Sequence, residues 1–95
     1  MAMRVTTLQK RLPSIQSFQW VKGVGLVDTM IQPHSFIMDG KTLAISGEYG
    51  DGLLDFYGEF SSDWPYIHPT LEEWATKMGG YWEWQNPGAI AFYFK

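Results

Sequence analysis

The chain has no cysteine. That excludes a disulfide scaffold, a thiolate zinc site, a thiol nucleophile and a thiol-based redox role. Stability must then come from packing, which fits a reducing cytoplasm, and a cytoplasmic location is expected. Charge is sparse as well: charged residues are 18% of the 95, and the net charge is −3. Phosphate contacts need a basic surface, so direct nucleic-acid binding is not expected. No apolar run approaches the ~20 residues that span a bilayer. Residues 1–12 lack the apolar centre of a signal peptide. A soluble chain with no membrane contact is expected. Histidine is nearly missing. His34 and His68 are the whole supply, and neither belongs to a ligand spacing such as H-x-x-x-H, so no metal and no cofactor are expected. No repeat, low-complexity tract or linker divides the chain. It reads as one domain over 1–95, because two cores of half this size would each be too small.

Aromatic residues are abundant. Five Trp, five Tyr and six Phe make up 17% of the chain. Each buries on the order of 150–250 Å² when enclosed, so a core this small does not need them all. Some should stay partly exposed, where Trp and Tyr favour binding. The charge is uneven too. Arg4, Lys10, Arg11 and Lys22 stand with no acid before residue 23, whereas residues 23–95 hold ten acids against Lys41, Lys77 and Lys95.

The local patterns predict an α+β fold: a mostly antiparallel sheet of about five to six strands, with a short N-terminal helix and an amphipathic helix at about 69–78 packed on one face. Val5, Leu8 and Leu12 share a helical face; a first helix is expected over Thr7–Leu12, capped by Thr6 or Thr7 and stopped by Pro13. Ser17–Val27 reads as one strand, bent or bulged at Gly23 and Gly25. Ser35–Ser46 reads as a hairpin about Asp39-Gly40. Leu53–Phe60 alternates, which predicts a half-buried strand with Asp55, Tyr57 and Glu59 facing solvent. Ser61–His68 is irregular, with Pro65 and Pro69. Leu71, Trp74, Ala75 and Met78 then form one helical stripe. Thr70 and Glu73 have capping-box spacing, and Gly79 and Gly80 end the helix. A last hairpin over 81–94 turns at Asn86-Pro87-Gly88, which suits a type II turn.

Two groups of residues stand out for function. The first is the acidic series Glu48, Asp51, Asp55, Glu59 and Asp63 around Tyr57, in a stretch without a basic residue from 42 to 76. It suits docking on the basic surface of a partner protein, where complementary charge raises the on-rate and selects the partner. The plainer reading is a solvated strand face that resists aggregation. The second is the aromatic series Trp64, Tyr66, Trp74, Tyr81, Trp82 and Trp84. Trp74 belongs to the helix stripe. Trp82 and Trp84 share a strand face, expected under the helix, which leaves Tyr81 and Glu83 outward. Trp64 and Tyr66 lie in a loop, where a partner has reason to cover them.

Catalytic patterns are weak. Gly23-Val24-Gly25 is half of a dinucleotide fingerprint without its third glycine. No serine sits in a G-x-S-x-G elbow. Asp55 and Glu59 would lie about 13 Å apart along a strand, beyond the ~5–9.5 Å of glycosidase carboxylates. The expected function is therefore a non-catalytic interaction module with Asp51, Asp55, Tyr57, Glu59, Asp63, Trp64, Tyr66, Tyr81 and Glu83 at its contact surface. In size, charge and texture the chain is similar to the small acidic inhibitor proteins of phages and mobile elements, such as anti-CRISPR proteins. That resemblance implies an inhibitor or regulator of a nucleic-acid-binding machine. It rests on no motif and assigns no residue. The alternatives are a small-ligand or carbohydrate binder using Trp64, Tyr66, Trp82 or Trp84, a small enzyme built on His34 or His68, an immunity protein and a structural subunit.

Overall fold

A computed structural model describes residues 4–48, 52–58, 62 and 64–95. Helix α1 spans Val5–Lys10. The strands are β1 (Ile15–Val21), β2 (Gly25–Ile31), β3 (Ser35–Met38), β4 (Thr42–Ser46), β5 (Leu54–Asp55), β6 (Tyr66–Ile67), β7 (Gly80–Asn86) and β8 (Ala89–Phe94), with α2 (Pro69–Lys77) between β6 and β7. Among the described residues all strand pairs are antiparallel. The fold is α+β, as expected. Its strands form a four-stranded sheet, ordered β3-β4-β8-β7, and two separate two-stranded ribbons, β1-β2 and β5-β6.

Burial follows position in the four-stranded sheet. The inner strands β4 and β8 bury consecutive residues, Leu43 to Ile45 and Ala89 to Phe92. Edge strand β7 alternates instead, with Trp82 buried and Tyr81 and Glu83 exposed. Helix α2 lies on the Trp82 face. Leu71, Trp74 and Ala75 are buried, as their helical spacing predicts, and Met78 is half-buried. Trp74 stacks on Trp82 at 5.6 Å, and both meet the edge of Phe92. A buried indole N–H needs an acceptor. Trp74 Nε1 donates to the Arg11 carbonyl at 2.9 Å, and Trp82 Nε1 donates to the Leu71 carbonyl at 2.8 Å. The first of these bonds ties the end of α1 to α2.

Several boundaries differ from the sequence reading. Helix α1 starts two residues early, at Val5, with Arg4 as an N-cap that makes no side-chain hydrogen bond. Leu8 and Leu12 are still both buried. At α2 the cap is His68, not the Thr70–Glu73 box. His68 Nδ1 accepts from the Thr70 N–H at 3.1 Å. Pro69 takes the first helical position, where its missing N–H costs nothing. The last turn is not type II, because Gly88 lacks the positive φ that type requires. Asn86 Oδ1 instead accepts from the Gly88 N–H at 2.8 Å, as an Asx turn does.

The largest difference falls at residues 15–31. The expected single bent strand is a hairpin of two seven-residue strands, in register from Ile15↔Ile31 to Val21↔Gly25. Gly23 (φ 84°) and Gly25 (φ 103°) supply the left-handed backbone, and the Val24 N–H closes the turn on the Val21 carbonyl at 3.0 Å. A Cβ at either glycine would meet nothing within 4 Å, so glycine serves the backbone angle there and not close packing.

Candidate interaction surface

Asp55 is 5% exposed, which overturns its expected place on a solvent-facing stripe. The strand expected over 53–60 is only Leu54–Asp55, paired to Ile67 and Tyr66. Gly52 and Gly58, both with positive φ, bend the backbone on either side. The short ribbon is wedged between its neighbours, so both parities are buried: Leu53, Leu54 and Asp55 alike. Gly52 lies against the Phe18 ring and the Ser17 hydroxyl, and Gly47 lies against Leu54. The Leu53 carbonyl accepts from the His68 N–H at 2.8 Å. Asp51, Glu59 and Asp63 lie outside the described residues.

The remaining expected contact residues fall into two sets. Tyr57 is 65% exposed and Trp64 is 60% exposed. Trp64 lies against Gly58, which follows Tyr57 in the chain, and Phe56 on the other side of Tyr57 touches both Tyr57 and Trp84. Tyr66 is half-buried, and burial pushes its phenol above the usual range. Tyr81 and Glu83 are exposed on β7, with Tyr81 beside Tyr93 across the strand pair at 6.0 Å. Alternation puts Glu83 on the opposite face of β7 from Trp84. The Phe56–Tyr57–Trp64 set and the Tyr81–Glu83 set therefore lie on different faces, and the structure does not join them into one patch.

Trp82 is buried, and Trp84 is half-buried with Phe56 at 5.2 Å. They are scaffold, and a sugar platform built on them has lost its two best residues.

A cleft of about 520 Å³ opens at the root of the β1–β2 ribbon, lined by Gln16, Phe18, Asp28, Tyr66 and His68 among others. Its histidine is committed at both nitrogens. Nδ1 accepts from Thr70, so Nε2 carries the proton and donates to the Gln16 carbonyl. Burial holds this imidazole below its ordinary range, against the opposing pull of that carbonyl. A histidine held this way is not free to take a proton from a substrate. Among the described residues no group of three His, Asp or Glu side chains converges on a metal position.

The surface missed by sequence reasoning is the β1–β2 hairpin itself. Ile15 and Ile31 are buried at its root. Met30, next to that pair, is 60% exposed, and toward the tip Val21 is 40%, Leu26 65% and Val24 72% exposed. Seven residues reach about 23 Å, and the molecule measures 47 × 23 × 23 Å. Among the described strands none pairs with either edge of this arm. The signal for it was present in Gly23-Val24-Gly25, a turn-forming pair of glycines between two apolar runs. No protein-family model, curated protein or solved structure matches the chain.

Proposed function

We propose that this chain is a non-catalytic protein-binding module that docks through the β1–β2 arm. One observation carries the reading: Val24, Leu26 and Met30 are all at least 60% exposed on a ribbon with open edges. Small soluble domains expose contiguous apolar surface mainly where something covers it. The function class expected from composition is kept, and the docking surface moves from the acidic series to the arm. Asp55 no longer belongs to that surface. Tyr57 and Trp64 supply a second aromatic contact. The net charge of −3 favours partners with a basic surface by steering their approach. An inhibitor or regulator, anti-CRISPR-like in general character, suits this division into a packed body and a contacting arm. A second reading, a small-ligand site, rests on the cleft at the arm root, whose size falls in the ~300–1,000 Å³ range of ligand pockets.

Photo-reactive residues placed at position 24 and, separately, at position 83 test the docking surface in host cells. The expected result is one discrete protein adduct from position 24 that disappears in Leu26→Gln/Met30→Gln, with none from position 83. Adducts from position 83 alone would move the interface to the sheet and end the arm reading.

A further inference from the structure

The cleft beside the β1–β2 ribbon takes its lining from parts of the chain far apart in sequence. Phe18 and Asp28 are direct partners in the antiparallel register, so their side chains stand on one face of the ribbon. Gln16, two residues before Phe18 on β1, shares that face. The remaining wall includes Tyr66 from β6 and His68 at the start of α2, whose rings meet edge to face at 6.5 Å. Two aromatic rings and one carboxylate thus border the same space.

Charge decides what such a cleft accepts. Asp28 is exposed, and among the described residues it makes no hydrogen bond or ion pair. No lysine or arginine lines the cleft among the described residues. Burial holds the His68 imidazole below its ordinary range, so it is neutral at pH 7 and adds no positive charge. An anionic ligand would therefore meet repulsion from Asp28 with nothing to offset it. A purely apolar ligand would strip water from that carboxylate and return no hydrogen bond. A cation matches both features. The carboxylate offers charge-assisted hydrogen bonds, and the faces of aromatic rings attract positive charge. Guanidinium fits better than ammonium, because it is planar and weakly hydrated, stacks on rings and meets a carboxylate with two parallel N–H bonds. Its other N–H groups need acceptors, and the Gln16 amide and the Ser62 hydroxyl stand at the cleft. Building on the ligand-site reading of this cleft, we propose that it binds a guanidinium group, with Asp28 as counter-ion and the Phe18 and Tyr66 rings against its plane. An arginine side chain of a protein partner and a free guanidine share this chemistry.

The test is ¹H–¹⁵N NMR titration of the full chain with four compounds: agmatine, which is a free guanidine, the blocked peptide acetyl-Gly-Arg-Gly-amide, its lysine counterpart, and glucose. At up to about 20 mM, enough to fill a millimolar site, both guanidinium compounds should shift the amides of Phe18, Asp28 and Tyr66. Tighter binding of the arginine peptide would assign the group to a protein side chain, and tighter binding of agmatine to a small molecule. Asp28→Asn keeps the shape and drops the charge, so it should weaken both about tenfold, as loss of a hydrogen bond to a charged group does. Asp39→Asn makes the same change of net charge on the exposed β3–β4 turn and should bind as wild type. Equal affinity in wild type and Asp28→Asn, or a lysine peptide that binds as tightly as the arginine peptide, would overturn the guanidinium assignment. Shifts at the cleft from glucose alone would also overturn it and leave a ligand site of another class. Silence at the cleft from all four compounds would end both the assignment and the ligand site.

Discussion

The α2–β7–β8 body and the β1–β2 arm are both rich in apolar side chains, and they place them in opposite ways. In the body, Trp74, Trp82 and Phe92 meet at 5.3–5.6 Å, and both indole N–H groups have carbonyl acceptors. In the arm, only the Ile15–Ile31 pair at the root is buried among the described side chains. The body therefore supplies cohesion and the arm supplies surface. Such a division predicts that substitutions in the two regions separate stability from binding.

The largest effect is expected at Trp82. Truncation to Ala removes a buried ring stacked under α2 and should cost about 3–5 kcal/mol. Urea unfolding followed by circular dichroism measures it. A loss below about 1 kcal/mol would mean that the body does not depend on this aromatic cluster, and the contrast with the arm would collapse. Asp55→Ala comes next. Asp55 is buried, and a buried carboxylate needs a hydrogen-bonding partner. Its removal leaves that partner unmatched, at a cost of about 1–3 kcal/mol. The same denaturation experiment reads it. An unchanged midpoint would return Asp55 to the surface and restore the acidic stripe.

The body was legible in the sequence because one element faces one environment. The 3.6-residue stripe of Leu71, Trp74 and Ala75 and the two-residue alternation of Tyr81, Trp82 and Glu83 each read a single boundary between core and solvent. The segment at 53–60 alternates equally well, yet Asp55 is buried. It is wedged between the arm root and the sheet, so alternation no longer sorts inside from outside. Its glycines carried the better signal, since Gly52 and Gly58 both adopt positive φ. The arm was read as one strand because Gly23 and Gly25 are compatible with a bulge as well as a reversal. The pairing of Phe18 with Asp28 and of Val21 with Gly25 decides between these, and the glycines alone do not specify it. His68 was legible only as a residue beside a helix start, because its bond to Gln16 joins positions far apart in sequence.

A smaller effect is expected where arm and body join. His68→Ala should cost about 1 kcal/mol, as loss of a cap does. The pH dependence has a defined sign. The folded imidazole titrates below its ordinary 6.5, so the unfolded chain takes up the proton first. Stability from this group is complete above about pH 6.5 and is lost as pH falls through the lower folded value. Thermal unfolding of wild type and His68→Asn between pH 7.5 and 5 should diverge, with wild type losing more. Parallel curves would leave the start of α2 indifferent to His68.

The smallest stability effect should come from the arm tip, and it carries the most functional weight. Val24 and Leu26 are 72% and 65% exposed, so Val24→Ser and Leu26→Gln remove little buried area. Exposed substitutions of this kind stay within about ±0.5 kcal/mol. A docking surface behaves otherwise. Fully desolvated apolar anchors in an interface cost about 2 kcal/mol or more when truncated, which is roughly a thirtyfold loss of affinity. The double variant should thus unfold like wild type and lose binding to the protein cross-linked from position 24, as measured by titration calorimetry. If the double variant instead loses stability to the extent expected of Trp82→Ala, the arm tip is folded against the body in solution. Its apolar side chains would then belong to the core, and the arm would have no surface left to offer a partner.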